Sequence, residues 1–341
     1  MRMVVVGATG AVGTRILSIL NERDLAIDEL IPVATPRSAG RRLSFRGAEV
    51  EVRALAPDVF IGADVALFDV PDDVARDWAP IAAEAGVVVV DNSAAWRMDP
   101  DVPLVVPEVN PEAVADRPKG IIASPNCTML ALVVPVGALH RNTPVTRLIV
   151  SSYQAASGAG RGGVDELWDQ LERVVKEPDS ATDGLARDVL QAGDVFGHPL
   201  ALNVIPRIGS VRDNGYTGEE LKVGDEVRKV LGVPGLPVTV TSVRVPTVVG
   251  HAVSVHVEFA SPVAPEQARA ILESAPGVVV QDDPARHAYP TPLQAAGRDP
   301  CYVGRIRADL YDDRGLELFC VADNLRKGAA LNTIQIAELL A

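Results

Sequence analysis

The chain has 341 residues, 48% of them apolar, and a formal net charge of −13 at pH 7. That length and apolar content allow two domains with a sizeable core, and the acidic balance argues against nucleic acid or an anionic membrane surface as a partner. Three cysteines in a chain of this size make no disulfide framework, and neither Cys-x-x-Cys nor His-x-x-x-His spacing suggests a metal site. The opening apolar run stops at Gly7, too soon for a signal-peptide core, and no stretch approaches the roughly 20 apolar residues of a membrane span. A soluble, cytoplasmic protein is expected.

Met3 to Val6 reads as a short buried strand and residues 11–21 as a helix, with Val12, Ile16, Leu17 and Leu20 on its apolar face. Between them lies Gly7-x-x-Gly10-x-x-Gly13. A glycine turn between a strand and a helix lets a ligand approach the backbone closely, and the amides at the helix start face phosphate. Gly7, Thr9, Gly10, Ala11, Val12 and Gly13 are therefore candidate cofactor-binding residues, with a purely structural tight turn as the alternative. Leu30 to Ala34 reads as the second strand. An NAD site normally ends this strand with an acid for the ribose hydroxyls. Here the chain continues Thr35-Pro36-Arg37-Ser38, with no acid until Glu49. Arg37 and Ser38 suit a 2′-phosphate, so NADP is expected over NAD; the alternative is a solvated basic loop.

Val65 to Phe68 and Val87 to Val90 are further apolar runs, each followed by helix signals. Strands apolar on both faces and alternating with helices imply a parallel sheet covered on both sides, a doubly wound nucleotide fold. Next comes Ser124-Pro125-Asn126-Cys127-Thr128. Asn126 is a good N-cap for the apolar run Met129 to Leu139 and places Cys127 in the first helical turn. There the helix dipole favours thiolate. A buried structural cysteine is the alternative reading, and Pro135 is expected to kink the helix or end its first part. Cys301 and Cys320 read as small buried hydrophobes.

Beyond residue 127 the strands lengthen and half-alternate, at 145–152, 237–245 and 252–259. They suggest a second, mixed α/β domain with a largely antiparallel sheet. Residues 151–160 follow a strand and are glycine-rich, which suits an active-site loop. His251 shares the parity of Val253 and Val255 and so points inward, as a hydrogen-bonded core histidine would and as a catalyst would. Thr217 with Glu220 forms a capping-box pattern. Glu219 and Lys222 lie three apart on the same helix face, which an exposed ion pair would also explain. The polar, proline-interrupted segment 176–192 reads as a mobile insertion. Residues 324–340 read as a final helix with Leu331, Ile334, Ile336 and Leu339 as its apolar stripe.

Several of these motifs recur together in one known family. The opening Gly-Ala-Thr-Gly-Ala-Val-Gly, Asn126-Cys127-Thr128, Gln154 in Ser-x-Tyr-Gln-Ala-Ala-Ser-Gly-Ala-Gly, Arg244-Val-Pro-Thr and Gly250-His251 resemble the aspartate-β-semialdehyde dehydrogenases, in order and over essentially the whole chain. The resemblance implies an α/β fold: an N-terminal Rossmann-type doubly wound parallel sheet plus a mixed α+β catalytic and dimerisation domain. Residues 1–126 would bind NADP, completed by the C-terminal helix 322–341, and 127–321 would carry catalysis and a homodimer interface.

It further implies that Cys127 attacks the acyl carbon of L-4-aspartyl phosphate and expels phosphate. Hydride from NADPH then reduces the thioester to L-aspartate 4-semialdehyde, in the biosynthesis of lysine, threonine, methionine and isoleucine. By the same likeness His251 is the general acid/base, Gln154 orients the acyl group and Arg244 clamps the substrate carboxylate. Arg97 and Lys222 would meet phosphate, Glu219 would meet the ammonium, and Asn126 would join the substrate site. Ser157 and Gly158 would lie near the nicotinamide, with Asn324 helping to close the cofactor site. The nearest alternative, an N-acetyl-γ-glutamyl-phosphate reductase, tends to carry glycine where this chain has Asn126. A glyceraldehyde-3-phosphate dehydrogenase fits less well, lacking its ribose acid here. A non-catalytic NADP-binding redox sensor would need none of Gln154, Arg244 or His251.

Overall fold

The valine run that opens the chain becomes strand β1 (Arg2–Val6), its last four residues fully buried, in a computed structural model that describes residues 1–179, 186 and 190–341. Helix α1 (Ala11–Glu22) and strand β2 (Glu29–Ala34) follow, then a hairpin of β3 (Arg42–Phe45) and β4 (Ala48–Glu51), and the short β5 (Arg53–Ala54). Next come β6 (Val65–Phe68), α2 (Asp72–Glu84), β7 (Val88–Asp91) and β8 (Ile121–Ala123). Six of these strands form one sheet in the order β5-β2-β1-β6-β7-β8, and every pairing in it is parallel. The order runs outward in both directions from β1, the doubly wound arrangement that the alternating apolar runs predict.

Helix α3 (Cys127–Asn142) continues past Pro135 and does not end there. A proline removes one helical hydrogen bond, yet every residue from Thr128 to Leu139 is buried, so packing holds the helix where local propensity would break it. Strand β9 (Val145–Gln154), α4 (Gly160–Lys176), α5 (Gly218–Leu231), β10 (Val238–Arg244) and β11 (His251–Phe259) follow, then α6 (Pro265–Glu273), β12 (Val278–Val280), α7 (Pro292–Ala295), β13 (Cys301–Ala308) and β14 (Gly315–Ala322). The second sheet has the order β10-β9-β11-β14-β13-β12. Its three central pairings are antiparallel and its two outer ones parallel. Along β11 the expected alternation is present: His251, Val253, Val255, Val257 and Phe259 are buried, with Ser254, His256 and Glu258 half-buried.

The final helix does not begin at Asn324. A π-helical turn (Arg326–Ala330) precedes α8 (Leu331–Glu338). That turn carries Lys327, whose buried ammonium donates to Glu108 at 2.7 Å, Gln335 at 2.8 Å and Asn332 at 2.9 Å. A lysine buried among apolar side chains persists only when so paired. The chain divides into two compact units. The first comprises Met1–Val133, Asp225–Pro234 and Leu325–Ala341, and the second Val134–Gly224 and Gly235–Asn324. In the first, Met3 and Val5 of β1 and Ile16 and Leu20 of α1 pack with Leu331, Ile334 and Ile336 of α8. Among the described residues no helix is long and apolar enough to cross a membrane. Of the segment 176–192, residues 180–185 and 187–189 lie outside the described residues.

Candidate functional site

The glycine turn is shaped by steric need. Gly7 adopts φ +89°, in the left-handed region, and a Cβ there would run into the Asp69 carbonyl. A Cβ on Gly13 would run into the Gly7 carbonyl. Gly10 is the N-cap of α1 and brings no side chain. A backbone so stripped fits the close approach of a dinucleotide diphosphate. Arg37 and Ser38 stand on a short 3₁₀ turn (Pro36–Ser38) after β2, with Arg37 exposed. One neighbour was not foreseen. Asp69, just after β6, accepts from Asn92 Nδ2 at 3.1 Å and from the Gly13 amide, and burial raises its pKa.

The thiol region belongs to the same unit. Asn126 does cap α3: its Oδ1 accepts the N–H of Thr128 at 2.8 Å and of Met129 at 3.4 Å, placing Cys127 at the first helical position. Arg97 is 8% exposed. It donates from Nε to the Ser124 carbonyl at 2.9 Å, from Nη2 to the Asn92 carbonyl at 2.8 Å and from Nη1 to Glu226 at 3.1 Å. Burial works against the Arg97 charge, but Glu226, Cys127 and Asp91 outweigh it and hold its pKa above the usual arginine range. Glu226 and Lys229 escape a reading of sequence alone. Lys229 donates to the carbonyls of Arg97, Asp99 and Val102 at 2.7–2.8 Å.

In the second unit the Ala155 peptide is gripped from both ends. Its N–H donates to His251 Nδ1 at 3.0 Å, and its carbonyl accepts from Arg244 Nη1 at 2.6 Å. Glycine at 158 makes room for this arrangement, since a Cβ there would lie 2.7 Å from Arg244 Nη1 and 3.1 Å from the His251 ring. His251 is fully buried, and its Nε2 has no hydrogen-bond partner among the described residues. Burial, aided by the Arg244 charge, pushes its pKa down to about 3. The ring is neutral, and because Nδ1 accepts the Ala155 N–H the proton resides on Nε2.

Gln154 donates to Glu219 Oε1 and to Ser152 Oγ, both at 3.2 Å. Asn324 Nδ2 donates to Ser157 Oγ at 3.0 Å, and its Oδ1 accepts the Gly250 N–H at 2.8 Å. Two pairs of expected site residues, Gln154 with Glu219 and Ser157 with Asn324, are thus in direct contact. Lys222 is exposed. The capping box forms as read: the Glu220 N–H donates to Thr217 Oγ1 at 3.3 Å, and the Thr217 N–H to Glu220 at 2.7 Å. Arg244 also stacks over Phe196, with 5.8 Å from guanidinium carbon to ring centroid, in a cleft of about 430 Å³ lined in part by Ile205 and Arg207. Phe196 carried no signal in the sequence.

Comparison with known proteins agrees over the whole length. Residues 2–117 match the family model described as semialdehyde dehydrogenase, NAD binding domain, and residues 136–327 the one described as semialdehyde dehydrogenase, dimerisation domain. An aspartate-semialdehyde dehydrogenase of Aquifex aeolicus is 45% identical over 341 residues, covering 99% of this chain and 97% of that one. The crystal structure of aspartate semialdehyde dehydrogenase II from Vibrio cholerae complexed with ASA superposes with a TM-score of 0.93 at 40% identity, covering 99% and 97% of the two chains. That of the Candida albicans enzyme with NADP gives 0.76 at 25% identity, covering 99% and 98%. The chain therefore belongs to the aspartate-semialdehyde dehydrogenase family.

Proposed function

We propose that the chain reductively dephosphorylates L-4-aspartyl phosphate to L-aspartate 4-semialdehyde with NADPH, through a thioester on Cys127, as a step in making lysine, threonine, methionine and isoleucine. The observation that carries this reading is Cys127 at the capped start of α3, with the Arg97 guanidinium anchored in the same unit. Cys127 adds as thiolate to the acyl carbon, and phosphate leaves with the electrons of the broken C–O bond. NADPH, when bound, supplies the hydride that reduces the thioester. The tetrahedral adduct then collapses by expelling the Cys127 thiolate, and its C–O bond becomes the aldehyde carbonyl.

His251 is the general acid/base that the family likeness implies, and with Nδ1 accepting the Ala155 N–H it is the Nε2–H that serves the thiohemiacetal oxygen. Gln154 orients the acyl group. Arg244 takes the substrate carboxylate in a bidentate fork. Glu219 takes the ammonium, and Arg97 and Lys222 the phosphate, with Asn126 beside them. Three of the five N–H groups of Arg97 are engaged, leaving one on each terminal nitrogen for an anion.

Gly7, Thr9, Gly10, Ala11, Val12 and Gly13 hold the dinucleotide diphosphate, and Arg37 and Ser38 favour the 2′-phosphate of NADP. Ser157, Gly158 and Asn324 attend the nicotinamide. The first unit binds cofactor, the second pairs two copies as a homodimer, and the enzyme works in the cytoplasm. The Vibrio relative bound to ASA and the Candida relative with NADP support the substrate and cofactor. The test is NADP reduction with aspartate semialdehyde, with and without phosphate, beside Cys127→Ser. Turnover that needs both phosphate and Cys127, with NADP still bound by the variant, is expected. Turnover without phosphate, or by the serine variant, would refute the acyl-phosphate route.

A further inference from the structure

Glu226 has no part in the chemistry above, yet it is 1% exposed and lies beside the thiol region in the first unit. A buried carboxylate is costly unless its oxygens are matched by donors. Here Oε1 accepts from Arg97 Nη1 at 3.1 Å and Oε2 from the backbone N–H of Asn126 at 2.6 Å. That N–H belongs to the Pro125–Asn126 peptide, directly before Cys127. Asn126 in turn caps the helix that Cys127 begins. Lys229, three residues on along α5, holds three carbonyls of the Arg97 loop. One helix segment therefore fixes both the guanidinium and the turn that presents the thiol.

We propose that Glu226 is a positioning residue for Cys127, locking the Asn126 peptide and offsetting the Arg97 charge that the thiolate feels. The proposal rests on Cys127 being the nucleophile. Glutamine at 226 would keep the volume but offer one acceptor to two donors, and it would leave the Arg97 charge uncompensated. The thiolate would then be over-stabilised and misplaced together.

The experiment compares wild type, Glu226→Gln, Glu226→Asp and Cys127→Ser. It measures alkylation of Cys127 by iodoacetamide against pH, read on the Cys127 peptide by mass spectrometry, together with kcat and KM for NADP reduction. Glu226→Gln should lower the alkylation midpoint by about one pH unit and reduce kcat by about tenfold, with a smaller change in KM for the aldehyde. Glu226→Asp should keep the wild-type midpoint and recover part of kcat. An unchanged midpoint and kcat in Glu226→Gln, or a raised midpoint, overturns the proposal. If the glutamine variant does not fold, the aspartate variant decides, and wild-type kcat in it overturns the proposal. Failure of the nucleophile reading looks different: the wild-type Cys127 would alkylate as an ordinary free thiol, and Cys127→Ser would still turn over.

Discussion

Arg244 already has commitments before any substrate arrives. It donates to the Ala155 carbonyl and its guanidinium carbon stands 5.8 Å over the Phe196 ring, so the plane of its fork is held before a ligand meets it. Lysine supplies charge but neither the plane nor the second parallel bond. Arg244→Lys is expected to keep the fold and raise KM for aspartate semialdehyde by about tenfold or more; an unchanged KM would count against the carboxylate role. Cys127 and His251 stand out in the sequence because a cap and a strand start give them a local context, whereas Gln154 and Arg244 stand out only through the family resemblance. Glu226 and Lys229 have neither. On the chain they look like the solvated face of an amphipathic helix, and their partners lie 129 and 100 residues away for Glu226 and 127–132 away for Lys229. Asp69 is hidden for the same reason, its role arising only where the β6 turn meets the glycine turn.

Among the elements, α5 shows how a local signal can be read correctly and still be incomplete. The Thr217–Glu220 box is visible in four letters, but Glu220 also accepts the buried Ser242 N–H at 3.0 Å from β10. Thr217→Ala should cost about 1 kcal/mol, a lost cap. Glu220→Ala should cost roughly 2–3 kcal/mol, because it also leaves the Ser242 amide buried without a partner. Urea denaturation of the two variants checks the ranking, and equal losses would mean that the Ser242 bond contributes nothing. Strands β1, β2, β6 and β7 of the first sheet were legible because buried parallel strands are unbroken apolar runs, and β11 because its period is 2, whereas β5 (Arg53–Ala54) and β8 (Ile121–Ala123) are too short to show a pattern. The course of α3 through Pro135 and the π turn before α8 were not, since burial and the Lys327 acceptors override propensities that the local sequence does express.

Across the whole molecule, two buried titratable groups pull stability in opposite directions. His251 has a folded pKa of about 3 against an ordinary 6.5, so between those values the unfolded chain binds more protons and stability is lost as pH falls. Asp91, raised mainly by burial to about 6 from 3.8, binds its proton more tightly when folded, and stability falls as pH rises through that window. In the wild type the two effects oppose each other between about pH 4 and 6. The stability difference between wild type and His251→Gln should therefore grow from pH 4 to 6.5 and level off above it. Urea titrations at stepped pH measure this, and a flat difference would contradict a neutral buried ring. The first unit is also assembled from three separate stretches of chain. Asn332 donates to Ser124 Oγ and to the Val105 carbonyl, both at 3.0 Å, and Arg97 holds the Ser124 carbonyl. A ribosome making this protein has finished Cys127 long before it reaches Asn332. Ser124 and Asn332 are 208 residues apart, so the turn before Cys127 is made and must fold for most of that stretch without the side chain that braces its hydroxyl, and that brace closes only after Asn332 has emerged.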